Sequence, residues 1–400
     1  MDRVTLPHAE WRERPGLDRL ADALEASSGN ARFVGGAVRD TLLGVPVADI
    51  DIATRHAPET VIELLKKSGI KTVPTGLAHG TITAVLDAGP VEVTTLRRDV
   101  STDGRHAMVA FTDDWREDAA RRDFTINALY ADPASGEVFD YFDGLADLAA
   151  RRIRFIGDPL HRIAEDHLRI LRFFRFLARF GDVPDAAGLD ACVARAKDLM
   201  ALSRERIADE LLKLLVAKDA VAVVRLMVER GIFGPVLPEI TDAERLAALA
   251  TREAAAGITP DAIRRLAALL PINPAIAEQI GARLKLSKAQ RKRLASAAVP
   301  AEGTARPLAY RVGREGAIDR LLLSDRPLED VAAIRGWSVP AFPLSGGALV
   351  KRGVTAGPEV ARLLRRVEDQ WVAEGFPDTP RTEEIADTVA AQASGANSNA

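Results

Sequence analysis

Two glycines near the N-terminus lie where a chain can bind phosphate. Gly35 and Gly36 stand between a predicted strand at 32–34 and a predicted helix at 37–43. Glycine has no side chain, so backbone amides there can approach a ligand closely, and a helix N-terminus attracts anions. Arg39 lies in the first helical turn and adds a full positive charge. The pattern therefore predicts a phosphate-binding junction.

Asp49 and Asp51 follow this junction and are the candidate metal ligands. The pattern of residues 47–53 predicts a strand, and residues two apart on a strand point to the same side. Two neighbouring carboxylates repel each other unless a cation lies between them, and such oxygen ligands suit Mg²⁺ that carries nucleotide phosphates. Glu92, on a predicted strand at 91–96, is a third catalytic candidate, and an exposed sheet face is its alternative explanation. Together these features predict phosphoryl or nucleotidyl transfer.

The order and spacing of these residues carry a family resemblance. Gly-Gly-Ala-Val-Arg-Asp at 35–40, followed by Asp-Ile-Asp-Ile-Ala-Thr at 49–54, resembles the first motif of class II tRNA nucleotidyltransferases and bacterial poly(A) polymerases. Residues 121–129 resemble the second motif of that family, and residues 139–148 resemble the third. The resemblance implies that Gly35, Gly36, Arg39 and Arg122 surround the triphosphate of a bound nucleotide.

The second motif supplies three further polar candidates for nucleotide binding. Arg122 offers a guanidinium that can neutralise triphosphate charge, and Asp123 and Asn127 offer a carboxylate and an amide for ribose hydroxyls. A capped helix with a solvated charge cluster is the alternative explanation.

A third group of charged residues follows a change in composition at residue 151, after which helical periodicity replaces strand patterns. Asp166, Arg169, Arg172 and Arg175 recur every three residues, which predicts one stripe on a single helix. A carboxylate one turn from a guanidinium presents both an acceptor and a donor to the edge of a base. The alternative is a row of ordinary salt bridges on a solvated face.

This stretch also resembles the Glu-Asp-x-x-Arg-x-x-Arg motif of the same family. The resemblance implies that Asp166 and Arg169 read the base, while Arg172 and Arg175 support the pocket or the phosphates. Residues 203–212 resemble the fifth motif, for which a structural role is expected.

The predicted fold is an α+β nucleotidyltransferase head, with a small mixed sheet and helices, followed by an all-α neck, body and tail. The predicted segments are the head at 1–150, a neck with the base-selecting helix at 151–216, an RNA-binding body at 217–335, a tail at 336–390 and a disordered end at 391–400. Within the head, the polar segment 101–114 is predicted to be a mobile loop over the site. Within the body, a basic cluster at 284–293 contacts RNA phosphates or is a solvated helix face.

The composition of the chain argues against a disulfide-bonded protein and against a membrane-spanning one, and it leaves RNA binding open. The 400 residues have a net charge of −3, which does not exclude a local basic face for RNA. The one cysteine, Cys192, allows no intrachain disulfide. No run of about 18 apolar residues is present, so we expect no membrane span. A charged N-terminus without a signal-peptide core favours a cytoplasmic location.

The resemblance implies a template-independent reaction that adds CMP and AMP, as C-C-A, to the 3′ end of tRNA. The expected partners are tRNA, CTP and ATP, with Mg²⁺ on Asp49 and Asp51 and no protein partner. Poly(A) addition, partial CC- or A-addition, and a non-catalytic RNA-binding protein on the same scaffold are the alternatives. Poly(A) polymerases of this family carry a Gly-Arg-Arg-Phe-like element, whereas residues 95–99 read Thr-Leu-Arg-Arg-Asp, which favours tRNA.

Overall fold

The structure, a computed structural model, describes residues 3–102 and 107–397. The chain forms two compact units, Met1–Ile240 and Thr241–Ala400. Every residue that the sequence predicts for the site belongs to the first unit. Within the described residues, none of the helices combines the length and the apolar character that a bilayer crossing requires.

A mixed β-sheet forms the centre of the N-terminal part. Its strands are β1 (Ala31–Val34), β2 (Asp51–Thr54), β3 (Lys71–Gly76), β4 (Thr81–Leu86), β5 (Gly89–Thr95), β8 (Leu129–Ala131) and β9 (Val138–Asp140), while β6 (Arg97–Thr102) and β7 (Ala107–Phe111) form a separate two-stranded sheet. The sheet order is β3-β4-β5-β2-β1-β8-β9, with β2 and β5 parallel and the other neighbours antiparallel. The predicted small mixed sheet is confirmed.

Helices surround this sheet and then continue without it. The helices of the first unit are α1 (Leu17–Ala23), α2 (Gly36–Leu42), α3 (Pro58–Lys67), α4 (Trp115–Ala120), α5 (Gly144–Ala149), α6 (Pro159–Glu165), α7 (Arg169–Phe180), α8 (Ala186–Ala194), α9 (Arg204–Leu215) and α10 (Ala220–Glu229). Two short parallel strands, β10 (Arg152–Ile153) and β11 (Val183–Pro184), lie among the later helices.

The second unit is helical over its described residues. Its helices are α11 (Glu244–Ala255), α12 (Ala262–Leu269), α13 (Pro274–Arg283), α14 (Lys288–Ala297), α15 (Ala305–Val312), α16 (Arg314–Leu322), α17 (Leu328–Arg335), α18 (Gly346–Val350), α19 (Pro358–Ala373) and α20 (Thr379–Asn397). The helix α20 extends to Asn397, although the sequence predicts disorder from residue 391. Alanines at positions 391, 393 and 396 have the highest intrinsic helix propensity. Residues 398–400 lie outside the described part of the chain, and the predicted segment boundaries stay predictions.

Two cores position the site within the first unit. Val34 of β1, Ala53 of β2 and Trp115 of α4 belong to one buried cluster behind the sheet. Phenylalanines form the second core, in which Phe173 of α7 stacks on Phe155 with ring centroids 5.6 Å apart. The apolar side of α7 is thereby packed, and its arginines lie along the other side.

A close backbone approach explains the turn at the third motif. A Cβ atom on Gly144 would lie 2.4 Å from the carbonyl oxygen of Thr125, so only glycine fits there. The glycine at this position is thus a packing requirement between α5 and the second motif.

The predicted loop at 101–114 differs from the structure. Residues of β7 pair with β6 in antiparallel register, with Arg97 opposite Phe111. The continuous apolar run Ala-Met-Val-Ala-Phe at 107–111 favours this strand. Residues 103–106, also within the predicted loop, lie outside the described residues.

The basic cluster at 284–293 is partly engaged in ion pairs inside the second unit. Arg293 contacts Asp319 at 2.6 Å, Glu315 at 2.8 Å and Asp261 at 3.0 Å. The Arg293 charge is therefore balanced by carboxylates, and RNA binding by this cluster stays a prediction.

Candidate active site

One cavity of about 580 Å³ is lined by every predicted site residue except Glu92. The predicted residues that line it are Gly35, Gly36, Arg39, Asp49, Asp51, Arg122, Asp123, Asn127, Asp166, Arg169, Arg172 and Arg175. Arg121 and Phe176 also line it, although the sequence analysis assigned them no site role. Arg121 precedes Arg122 and Phe176 follows Arg175, so their positions beside predicted site residues could have identified them. Three segments far apart in the chain therefore meet at one site.

The two aspartates lie at the start of the strand β2. Asp51 is its first residue, whereas Asp49 precedes it, so the predicted strand at 47–53 begins four residues later than expected. Glu92 is the register partner of Asp51 on the parallel strand β5. Burial, followed by the charge of Glu92, raises the pKa of Asp51 to about 6; Arg122 opposes this rise and Asp49 adds to it.

This acidic group fits a divalent cation. Asp49 and Asp51 both line the cavity, and the burial of Asp51 together with the charges of Glu92 and Asp49 disfavours its ionised form, a penalty that a cation would relieve. Glu92 is exposed and does not line the cavity. Across the described part of the chain, no three His, Cys, Asp or Glu side chains lie close enough together to hold a metal. Metal binding by Asp49 and Asp51 and the catalytic role of Glu92 both stay predictions.

The glycine junction leaves one wall of the cavity free of side chains. Gly35 has a φ of 67°, which favours glycine, and a Cβ there would lie 3.3 Å from Nη1 of Arg122. The helix α2 begins at Gly36, within a residue of its predicted start. This geometry is compatible with close backbone approach of a ligand.

Arg39 is held by protein groups rather than standing free in the cavity. Its Nε and Nη2 atoms lie 2.8 and 2.7 Å from Oδ1 of Asp40, and Nη1 donates to Asn127. The guanidinium also lies 4.2 Å from the ring centroid of Phe180. Burial lowers the pKa of Arg39, and Asp40 opposes that effect. A direct contact with phosphate stays a prediction for this residue.

A buried carboxylate that the sequence analysis did not identify holds the two arginines of the second motif. Asp118 contacts Nε of Arg121 at 2.8 Å and Nη2 of Arg122 at 3.3 Å, and it accepts a 2.7 Å hydrogen bond from the Tyr130 hydroxyl. Burial raises the pKa of Asp118, but Arg122 and Arg121 outweigh burial and bring it to about 2. Arg121 and Arg122 follow Asp118 by three and four residues, the spacing of neighbours on a helix, and this spacing could have identified the group. Two guanidiniums share one carboxylate, so this wall is positive.

Asp123 lies at the centre of the next polar group. Its Oδ1 atom accepts a 3.0 Å hydrogen bond from Asn127, and its Oδ2 atom accepts one of 2.7 Å from Nε of Arg172. The structure therefore brings the second motif and α7 together through side chains. A contact between Asp123 and a ribose hydroxyl stays a prediction, because both carboxylate oxygens already have partners.

Asp166 and Arg169 do not share one helix, which corrects the predicted stripe. The helix α6 ends at Glu165, Asp166 is extended with φ −150° and ψ 106°, and α7 begins at Arg169. The Asp166 carboxylate accepts a 3.1 Å hydrogen bond from the backbone of Leu168. Such local side-chain bonds compete with the helix, which explains the break. Arg169, Arg172 and Arg175 still follow one another on α7.

Neighbouring groups orient both base-reading candidates. Arg169 pairs with Glu165, and its Nη1 donates to the carbonyl oxygen of Arg162 at 2.7 Å. Asp166 pairs instead with Arg206 of α9 at 2.8 Å. The two candidates therefore face the same cavity while each has a different partner.

Sequence analysis underestimated the role of the helix α9 at the site. Its buried Glu210 lies 2.5 Å from Nε of Arg175 and 3.6 Å from Nη1 of Arg172. A buried charge on an otherwise apolar helix face was the available signal. The fifth motif thus holds the arginines of α7.

Comparisons with known families identify the class of protein. The family model described as "Poly A polymerase head domain" matches residues 31–154, and the one described as "Probable RNA and SrmB- binding site of polymerase A" matches residues 187–244. The sheet, the acidic pair and these matches define a nucleotidyltransferase.

Relatives that align along nearly the whole chain identify the family within the nucleotidyltransferases. The mouse "CCA tRNA nucleotidyltransferase 1, mitochondrial" is 35% identical over 90% of this chain and 87% of its own length. The "CCA-adding enzyme" of Lacticaseibacillus paracasei is 33% identical over 89% of this chain and 91% of its own. The crystal structure of the Bacillus stearothermophilus CCA-adding enzyme in complex with CTP is 25% identical, has a TM-score of 0.73, and matches 96% of this chain and 100% of that one. The chain belongs to the family of CCA-adding tRNA nucleotidyltransferases.

Proposed function

We propose that this chain adds C, C and A to the 3′ end of tRNA without a nucleic-acid template, taking CTP and ATP and releasing pyrophosphate. The observation that carries this proposal is the convergence of the glycine junction, the acidic pair and the Asp166–Arg169 region on one cavity. The names of the relatives support it, since both are CCA-adding enzymes. The cytoplasmic location and the absence of a protein partner stay predictions.

Asp49 and Asp51 would hold Mg²⁺. When bound, that ion would supply activation of the attacking 3′-hydroxyl and neutralisation of charge on the departing pyrophosphate. The acidic pair and the glycine junction line the same cavity, so a nucleotide bound there could meet both.

Arg121 and Arg122 would face the triphosphate. Asp118 fixes both guanidiniums before the nucleotide arrives, so little reorganisation accompanies binding. Gly35 and Gly36 would allow the phosphates to approach the backbone beside that charge, since a Cβ on Gly35 would lie 3.3 Å from Nη1 of Arg122. A nucleotide held at these points would present its α-phosphate to the RNA end in a constrained orientation.

Asp166 and Arg169 would select the base. Cytosine and adenine each present an amino donor beside a ring-nitrogen acceptor on the pairing edge, whereas uracil and guanine present an acceptor beside a donor. A carboxylate with a guanidinium therefore matches the first two bases and opposes the other two. This protein pair would replace a template strand.

The test is an incorporation assay with a tRNA transcript that lacks its 3′ C-C-A. The protein is incubated with Mg²⁺, CTP and ATP, and the products are sequenced. We expect termination after C-C-A. Termination after C-C or after A alone would assign a partial enzyme, long A-tails on varied RNAs would assign a poly(A) polymerase, and no incorporation would favour a non-catalytic RNA-binding role.

A further inference from the structure

Asp166 lies in a linker, so its direction is not set by helical backbone. It falls between α6 and α7 in an extended conformation. A carboxylate in a linker can rotate, yet one that reads a base has to present the same oxygen in each cycle. The groups that hold the side chain therefore decide what it can recognise.

Arg206 is the side chain that holds this carboxylate. Its Nη2 atom lies 3.1 Å from Oδ1 and 2.8 Å from Oδ2 of Asp166, so one nitrogen bridges both oxygens. The backbone amide of Leu168 donates to Oδ1 at 3.1 Å. Two oxygens offer about four acceptor positions. These contacts occupy both positions of Oδ1 and one of Oδ2, and they leave a single acceptor position on Oδ2.

The helix α9 keeps Arg206 in place. Ser203 caps this helix by accepting a hydrogen bond from the Arg206 amide at 3.4 Å. One turn further along, Glu210 pairs with Arg175 of α7 at 2.5 Å. The backbone that carries Arg206 is therefore tied to the helix that carries Arg169. Asp166 lines the cavity, whereas Arg206 is not among the residues that line it.

We propose that Arg206 is a specificity-determining positioning residue, which presents one acceptor oxygen of Asp166 to the amino group of cytosine or adenine. The inference rests on the proposed function and assigns a role in nucleotide choice to the fifth motif. Without Arg206, either oxygen of Asp166 can turn toward the base, and water can bridge the carboxylate to uracil or guanine. Discrimination falls, while the acidic pair and the phosphate wall stay intact.

The test measures discrimination in two ways on the full chain. Transfer of CMP and UMP to a tRNA transcript lacking C-C-A gives the ratio of kcat/KM values, and titration calorimetry with CTP and UTP gives the ratio of affinities. For Arg206→Ala we expect both ratios to fall about tenfold, the scale at which a fixed pairing contact discriminates bases. Because one nitrogen bridges Asp166, Arg206→Lys is expected to recover part of the loss.

The matched control is Lys213→Ala on the same helix. Lys213 pairs with Asp209 at 2.7 Å, and both side chains are exposed. This variant should keep both ratios, and both variants should melt within about 3 °C of the parent, because each removes a solvent-accessible pair. Arg206→Ala should also leave the ratios unchanged in an Asp166→Ala background, since its effect passes through that carboxylate.

The outcomes separate this inference from the proposed function. Wild-type ratios in Arg206→Ala, or an equal fall in the Asp166→Ala background, would overturn the role of Arg206. A parent protein that binds CTP selectively but transfers nothing would overturn the proposed function, and the calorimetric ratio would still decide the inference.

Discussion

The Arg172 guanidinium lies against the Asp123 carboxylate, with Nε 2.7 Å and Nη2 2.6 Å from Oδ2. The two residues are 49 positions apart, and the contact joins α7 to the second motif. Burial raises the pKa of Asp123, but Arg172 and the hydrogen bond from Asn127 outweigh burial and bring it to about 2. The ionised pair therefore attaches the helix α7 to the second motif at the cavity.

Asp123→Asn should lower the free energy of unfolding at pH 7 by about 2 kcal/mol, because it leaves the partly buried Arg172 charge with a weaker partner. A folded pKa near 2 lies below the unfolded value of about 4, so the stabilisation is present above pH 4 and is lost as the pH falls toward 2. Urea unfolding of both proteins from pH 7 to pH 3 checks this. A difference that does not shrink in acid would contradict the prediction.

Asp51→Asn should reduce the rate of CMP transfer by about a thousandfold. Removal of one group that stabilises transition-state charge typically lowers kcat by this factor. Affinity for tRNA should change by less than about twofold, because RNA phosphates gain affinity from basic side chains and not from a carboxylate. Single-turnover transfer and a filter-binding assay measure the two quantities. Retained transfer would refute the metal-binding role of Asp51.

Activity of the parent should fall as the pH drops below about 6, because protonated Asp51 cannot bind a cation. Glu92 is a cause of that raised pKa, so Glu92→Gln should lower it and shift the acidic limb of the pH–rate profile to lower pH. Profiles at several Mg²⁺ concentrations check the shift. A loss of activity at every pH would instead make Glu92 a direct participant in catalysis.

Asp118→Asn should raise KM for CTP and ATP, because Arg121 and Arg122 lose the carboxylate that orients them. Breaking these buried pairs should also cost about 3 kcal/mol of stability. Tyr130→Phe is the comparison variant: it removes the hydrogen bonds that the Tyr130 hydroxyl donates to Asp118 and accepts from Nε of Arg122, but it keeps both ion pairs. We therefore expect a smaller rise in KM and a cost of about 1 kcal/mol. Steady-state kinetics and urea unfolding separate the two variants, and equal KM values would contradict the assigned role.

Arg169→Ala should reduce the preference for CTP over UTP by about tenfold, because the guanidinium supplies the donor half of the base-reading pair. Competition between labelled CTP and UTP in one transfer reaction measures the preference directly. An unchanged preference would remove Arg169 from base selection.

Much of the local architecture was predictable because short-range rules set it. The strand β1 and the helix α2 fall within a residue of their predicted bounds. A glycine junction, a helical apolar period and a β-branched strand each act over a few residues. The same rules named nearly all of the residues that line the cavity, because the motifs keep them adjacent in the chain.

Partners distant in the chain were not predictable from these rules. The spacing of Asp166 and Arg169 predicted an i,i+3 pair on a helix, but the Asp166 side chain bonds locally to Leu168 and the helix breaks. Arg206 is 40 positions from Asp166, and nothing in a period of three or four residues points to that contact.

The sequence by itself determined the class of fold, the acidic pair, the glycine junction and the arginines of α7, because each depends on residue types that lie only a few positions apart in the chain. Only the tertiary structure decided which charges stay available to a ligand. Arg39 is neutralised by Asp40, and Arg175 is held by Glu210. Whether a charge is free depends on what packing brings beside it and on how far burial weakens its hydration, and both depend on the folded chain.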